Sequence, residues 1–189
     1  MPMLSPKELC AIESAALHHP HRPVVVAVNH KYLQLPTSVA KWAKIYPNVI
    51  FTQLDINKWL EGTVLLPWLS KGLLDRSLYK ISHTSDILRF ATMYKYGGLY
   101  MDTDVIVLRS MDDLGNAVGL QEYTRQGAVP GIMSFRKHHP IMAECLEELV
   151  LRSEEILFMG FVRTAGVTLD SQGTTKQGQV LAKAKTGLR

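Results

Sequence analysis

The sequence predicts an α/β fold, a mostly parallel sheet flanked by helices, and three observations lead there. The 189 residues are 47% hydrophobic, enough for one globular domain with a real core. The run VVVAVN (residues 24–29) is β-branched and unbroken, the pattern of a strand buried on both faces. Helical and strand patterns alternate through the first half, which is the signature of parallel strands joined by helices.

Ser5-Pro6-Lys7-Glu8 opens the first helix: Ser5 caps it, Pro6 suits the first helical position and Glu8 completes a capping box. Leu9, Ile12 and Ala16 then supply a buried face, and the helix fades at His18-His19-Pro20. After the first strand a helix is expected over 37–46, stopped by Pro47, and VIFTQL (49–54) is the next strand. Residues 57–72, with Trp59, Pro67 and Trp68, read as short helical pieces capping the sheet. The strongest helix runs over 82–96. Ser82 or Thr84 caps it, Ile87, Leu88, Ala91 and Tyr94 face the core, and Gly97 takes the left-handed position after it. Residues 98–101 and 105–108 are strand-like on either side of Asp102 and Asp104; 117–120 and 129–135 are later strands, joined through a turn at Arg125-Gln126-Gly127. Pro140 starts the last helix, with Met142, Cys145, Leu146 and Leu149 on its apolar face. The core is therefore expected over 5–158, and the polar, Gly/Thr/Lys-rich stretch 159–189 is expected to be poorly ordered.

Charge narrows the function classes. The balance of 21 basic against 17 acidic residues gives +4, evenly spread, with no basic run or interleaved aromatic stripe, so nucleic acid is not an expected partner. No apolar run reaches the roughly 20 residues that cross a bilayer, and MPMLSPKELC has no signal-peptide pattern. Cys10 and Cys145 fit no metal spacing; one disulfide or two buried thiols are both compatible with the sequence. The seven histidines (His18, His19, His21, His30, His83, His138, His139) have no tight ligand spacing and read as surface or loop residues, His83 being worth a test because it lies beside Asp86. The tryptophans read as core, and Glu147-Glu148 and Glu154-Glu155 as solvated helix faces.

The stretch SHTSDILRFATMYKYGGLYMDTDVIVL (82–108) carries the chemistry. Carboxylates in an apolar run need something to offset their desolvation, and a divalent metal does so. In a strand, Asp102 and Asp104 would face one side and aim at one point. Helix, Gly-Gly turn and strand would deliver the pair to the carboxyl edge of the sheet, where open α/β sheets bind ligands. Gly97 and Gly98 allow positive φ and close approach of a ligand. Hard carboxylate oxygens suit Mg²⁺ or Mn²⁺ with a substrate diphosphate among the other ligands. Asp86 and Arg89 are one helical turn apart and can act on one ligand, the arginine on a phosphate or sugar oxygen, the aspartate on paired sugar hydroxyls.

SDxxR followed by YxxGGxYxDxD resembles the sugar-nucleotide-binding region of DXD glycosyltransferases of GT-A type, above all the α-1,4-galactosyltransferase and α-1,4-N-acetylglucosaminyltransferase family, and more distantly the glucosylating bacterial toxins. CAIESAALHHP is similar to the family's helix after its first strand, and the likeness runs from about Leu9 to Leu157. It implies a Rossmann-like GT-A nucleotide-sugar domain, with Asp102 and Asp104 at a Mn²⁺ and UDP-diphosphate site. Asp86 and Arg89 would contact the donor sugar, and Gly97, Gly98 and Tyr100 would shape the pocket. It further implies a retaining transfer from a UDP-sugar, UDP-galactose or UDP-N-acetylgalactosamine first, to a galactose- or lactose-terminated glycolipid or glycoprotein glycan in the Golgi. No residue reads as a nucleophile, and catalytic residues and oligomeric state stay unassigned. The family pattern also has a membrane anchor, a first strand before Ser5 and later Gly-Pro and His elements that do not align here, so the domain is expected to be incomplete. A truncated paralogue that binds nucleotide or a partner without transfer is the alternative reading. A Mg²⁺ phosphatase would need a further acidic cluster or a nucleophilic aspartate at a strand end, and neither is present.

Overall fold

The computed structural model describes residues 4–29, 36–120 and 128–151, together with two short strands nearer the C-terminus. The chain divides into two compact units, Met1–Ile56 with Asp102–Leu114, and Asn57–Met101 with Gly115–Arg189.

The first unit opens with α1 (Pro6–His18). Its capping box forms as expected: Glu8 N–H donates to Ser5 Oγ at 3.3 Å and Ser5 N–H to Glu8 Oε2 at 2.6 Å. Strand β1 (Val24–Val28), helix α2 (Thr37–Ala43) and strand β2 (Val49–Gln53) follow. The two strands pair in parallel, Val24 opposite Val49 through Val28 opposite Gln53. Ile12 and Ala16 of α1 form the core with Val49, and Val24, Val26, Phe51, Trp42 and Tyr46 pack around them. Asn48 holds the end of α1 beside β2 by donating to the carbonyls of Ala16, His19 and Arg22. Burial on both faces is not what β1 shows. Val25 and its register partner Ile50 are 53% and 48% exposed, because the residues packed on this pair gather on the opposite face.

Helix α3 (Ile56–Leu60) leads into the second unit from its first residue, and α4 (Leu65–Leu69) and a 3₁₀ turn at Leu74–Arg76 follow. Helix α5 (Lys80–Tyr96) begins earlier than the capping residues suggested. Neither Ser82 nor Thr84 caps it: Thr84 Oγ1 donates instead to the Lys80 carbonyl at 2.6 Å, and the cap residue, Tyr79, makes no side-chain cap bond. Strands β3 (Gly98–Met101), β4 (Ala117–Leu120) and β5 (Ala128–Phe135) form a sheet in the order β3-β5-β4. Both pairings are antiparallel, so the expectation of a mostly parallel sheet holds for β1 and β2 and not here. Helix α6 (Pro140–Leu151) buries Met142, Cys145, Leu146 and Leu149, the face read from the sequence, and packs against α5. Beyond it, β6 (Thr168–Leu169) pairs antiparallel with β7 (Ala184–Lys185). The expected turn at 125–127 and most of the expected tail lie outside the described residues. No helix among the described residues is long and apolar enough to cross a membrane.

Tryptophans read as core residues hold up best at Trp68, which is buried. Trp59 is half-buried and donates from Nε1 to Thr92 Oγ1 at 2.7 Å, and Lys95 Nζ caps the end of α3 through the Trp59 carbonyl at 2.8 Å.

Both cysteines are free thiols, Cys10 exposed and Cys145 buried. Burial first, then the charges of Glu144 and Glu148, push the Cys145 thiol up to about 12. At pH 8 its thiolate is then about one part in ten thousand, and the thiolate is the reactive form. Iodoacetamide on the native chain at pH 8 is therefore expected to label Cys10 alone, with Cys145 labelled only in denaturant. Peptide mass mapping checks this, and native labelling of Cys145 would contradict its burial.

Candidate functional site

Arg89 and Asp86 lie one turn apart on α5, with Arg89 Nη2 3.3 Å from Asp86 Oδ1. The side chains are 11% and 17% exposed, so their attraction is screened less than that of a surface pair. Arg89 Nη2 also donates to Ser85 Oγ at 3.4 Å, and the guanidinium lies 5.4 Å from the Tyr100 ring centroid. The chain turns sharply at Gly97 and runs β3 back along α5, so Tyr100 meets Arg89 eleven residues upstream in sequence. Three of the residues expected at the site from sequence, Asp86, Arg89 and Tyr100, are thus brought together within one unit. Such a grouping presents a planar cation and an adjacent carboxylate, which suits a ligand rich in hydroxyls and anionic oxygens.

Gly97 has φ +66° and ψ −159°, a conformation open to glycine almost alone. A Cβ there would sit 2.4 Å from Lys137 N and 2.8 Å from the Phe135 carbonyl oxygen. The close approach at Gly97 is therefore to the chain's own backbone. Gly98 has φ +95°, and a Cβ there would meet nothing within 4 Å, so it alone of the two leaves open space.

Asp102 and Asp104 belong to the first unit. They lie in a turn beyond β3 and not in a strand, and residues 105–108 form no strand either. Val105 N–H donates to the Asp102 carbonyl at 3.1 Å and closes the turn. Asp102 is half-buried and Asp104 exposed. Among the described residues no group of three or more His, Cys, Asp or Glu side chains could hold a metal. Two neighbouring carboxylates fit Mg²⁺ or Mn²⁺ of the kind that takes one or two protein oxygens and completes its shell with water and a substrate diphosphate. They do not fit a zinc site, which takes three or four protein ligands.

Two histidines depart from the surface reading. His83 is buried, and its Nδ1 is 2.6 Å from Ser77 Oγ, a contact that braces the start of α5. His19, also buried, hydrogen-bonds through both ring nitrogens. Extending the apolar stripe of α1 would have found it, since Ile12, Ala16 and His19 fall at i, i+4 and i+7.

Residues 5–122 match the family described as the glycosyltransferase sugar-binding region containing a DXD motif. The chain is 32% identical over 151 residues to lactosylceramide 4-alpha-galactosyltransferase of Rattus norvegicus, covering 75% of this chain and 40% of that protein. It is 34% identical over 149 residues to alpha-1,4-N-acetylglucosaminyltransferase of Homo sapiens, covering 75% and 42%. This chain thus spans about two fifths of the length of these relatives. Among solved structures, the PaToxG glycosyltransferase superposes with a TM-score of 0.59 at 20% identity, over 82% of this chain and 57% of that one, which shows a shared fold. The α/β architecture, the motif-bearing segment and the match over 5–122 agree: the chain belongs to the family of glycosyltransferase sugar-binding regions containing a DXD motif.

Proposed function

We propose that this chain forms the donor-binding part of a metal-dependent, retaining glycosyltransferase that takes a UDP-sugar. The observation carrying the reading is the Asp86–Arg89–Tyr100 grouping, set in a chain that continues within four residues of Tyr100 through Asp102 and Asp104. Asp102 and Asp104 would hold Mn²⁺ or Mg²⁺, and the chemistry the ion would supply there is electrostatic stabilisation of charge on the leaving diphosphate. Arg89 and Asp86 bind hydroxyls of the donor sugar and fix its orientation. Tyr100 supports the Arg89 guanidinium from its ring face, and Gly98, at the start of the same strand, leaves open space where a side chain would stand. The relatives' names support an α-1,4 transfer of galactose or N-acetylglucosamine and a lactosylceramide-like glycolipid as one acceptor. A glycoprotein glycan as acceptor and the Golgi as the compartment belong to the same reading through the family resemblance of the motif. Residues 5–158 act as the donor-binding core in this reading.

The test is calorimetric titration of UDP with and without Mn²⁺, on the wild-type chain and on Asp104→Ala. Mn²⁺-dependent binding is expected in the wild type and at least a tenfold loss in the variant, in line with removing one charged ligand. Binding that ignores Mn²⁺, or that survives Asp104→Ala unchanged, would overturn the reading.

A further inference from the structure

The segment Asp102–Leu114 carries the two carboxylates proposed above as metal ligands, yet forms no helix or strand. Its internal backbone bonds are turn closures, Val105 N–H to the Asp102 carbonyl and Leu114 N–H to the Met111 carbonyl, each 3.1 Å. A segment of this kind must find partners elsewhere for its other polar backbone groups. Two amides find them on side chains of α1 and its cap. Val107 N–H donates to Ser14 Oγ at 2.9 Å, and Met111 N–H donates to His19 Nε2 at 3.0 Å.

Both acceptors are oriented by a second bond. Ser14 uses its own hydroxyl hydrogen on the Ala11 carbonyl at 2.8 Å, which leaves a lone pair for Val107. His19 Nδ1 lies 3.0 Å from the Ala15 carbonyl, which can only accept, so Nδ1 carries the hydrogen and Nε2 accepts from Met111. The Val107 side chain is 4% exposed beneath the first contact. Arg22 adds an ion pair to Asp112 at 2.6 Å, but both side chains are nearly half exposed, and such pairs contribute little. The two part-buried hydrogen bonds, shielded better than the ion pair, therefore dominate.

We infer that Ser14 and His19 are positioning residues, a strap from α1 that holds the 102–114 segment and thereby the pose of Asp102 and Asp104. This rests on the metal reading given above. Val107 lies three positions beyond Asp104, a reach of at most about 11 Å, so pinning the Val107 amide confines the carboxylate pair. Neither Ser14 nor His19 is itself a ligand of the ion. A purely structural role would change stability without changing the affinity of the folded chain for metal, and that difference is measurable.

The experiment follows amide hydrogen exchange and Mn²⁺ binding in the presence of UDP for the wild type, Ser14→Ala, Ser14→Thr, His19→Leu, His19→Gln and Asp104→Ala. Ser14→Ala and His19→Leu are expected to speed exchange at Val107 and Met111 at least tenfold, with β1 and β2 unchanged, and to weaken Mn²⁺ binding three- to tenfold. Ser14→Thr and His19→Gln, which keep an acceptor, are expected to stay near wild type. Exchange that is unchanged, or that rises equally in β1 and β2, would overturn the strap. Faster exchange with unaltered Mn²⁺ affinity would overturn the positioning role. If His19→Leu does not fold, Ser14→Ala, which removes a single hydroxyl, decides the matter. A wild-type chain that binds no Mn²⁺, or an Asp104→Ala chain that binds it normally, overturns the metal reading itself and the positioning role with it.

Discussion

Gly97→Ala is expected to leave the chain largely insoluble, or to lower its urea midpoint far more than Gly98→Ala. At φ +66° and ψ −159° an alanine is strained by about 1–3 kcal/mol before any contact is considered. The added Cβ would then overlap three backbone atoms, Lys137 N at 2.4 Å, the Phe135 carbonyl oxygen at 2.8 Å and Arg136 C at 2.9 Å. Those atoms are not free to retreat. Phe135 pairs with Gly98 in the β3–β5 ladder, Arg136 N–H donates to Asn116 Oδ1 at 2.9 Å, and His138 N–H donates to the Tyr94 carbonyl at 2.8 Å. Several kcal/mol lost from a total of about 5–15 is enough to depopulate a fold. Gly98→Ala meets nothing within 4 Å and bears only the conformational cost at φ +95°. Denaturant unfolding of both variants checks the order, and a Gly98→Ala chain as damaged as Gly97→Ala would refute it.

The glycine pair also shows what a sequence reveals and what it hides. That Gly97 ends α5 at positive φ was legible, because helix termination is local chemistry. That its missing Cβ makes room for residues 135–137, some forty positions later, was not. The same division runs through the fold. The capping box of α1 and the apolar face of α6 were read correctly, since both depend on neighbours three or four residues away. The run Val105–Leu108 has the composition of a strand, yet a strand needs a partner. The Val107 amide instead meets a serine side chain 93 residues upstream. The sheet direction fails for the same reason: β3 pairs with β5 in antiparallel register, and nothing within residues 98–101 announces that. Among the expected site residues, Asp86 and Arg89 were legible through helical spacing, while Tyr100 as the arginine's ring partner emerged only when β3 folded back along α5.

Arg89→Lys is expected to weaken UDP-galactose binding about 10- to 100-fold while changing binding of UDP by no more than about twofold, as loss of one or two charge-assisted hydrogen bonds would. Lysine keeps the positive charge, so the field on a nucleotide diphosphate is largely preserved. It lacks the planar guanidinium, whose Nη2 alone meets Asp86 at 3.3 Å and Ser85 at 3.4 Å over the Tyr100 ring and whose other N–H groups extend in a fixed fork. What is lost is therefore geometry, and geometry matters for sugar hydroxyls more than for a diffuse negative charge. Arg89→Ala is the poorer test, because removing the guanidinium beside a mostly buried carboxylate costs about 3–5 kcal/mol and confuses binding with folding. Calorimetry of UDP and UDP-galactose on the lysine variant separates the alternatives. Equal weakening of both ligands would move Arg89 from the sugar to the diphosphate. Unchanged binding of both would reduce Arg89 to a brace between α5 and β3, and the donor-sugar assignment of this helix face would fall.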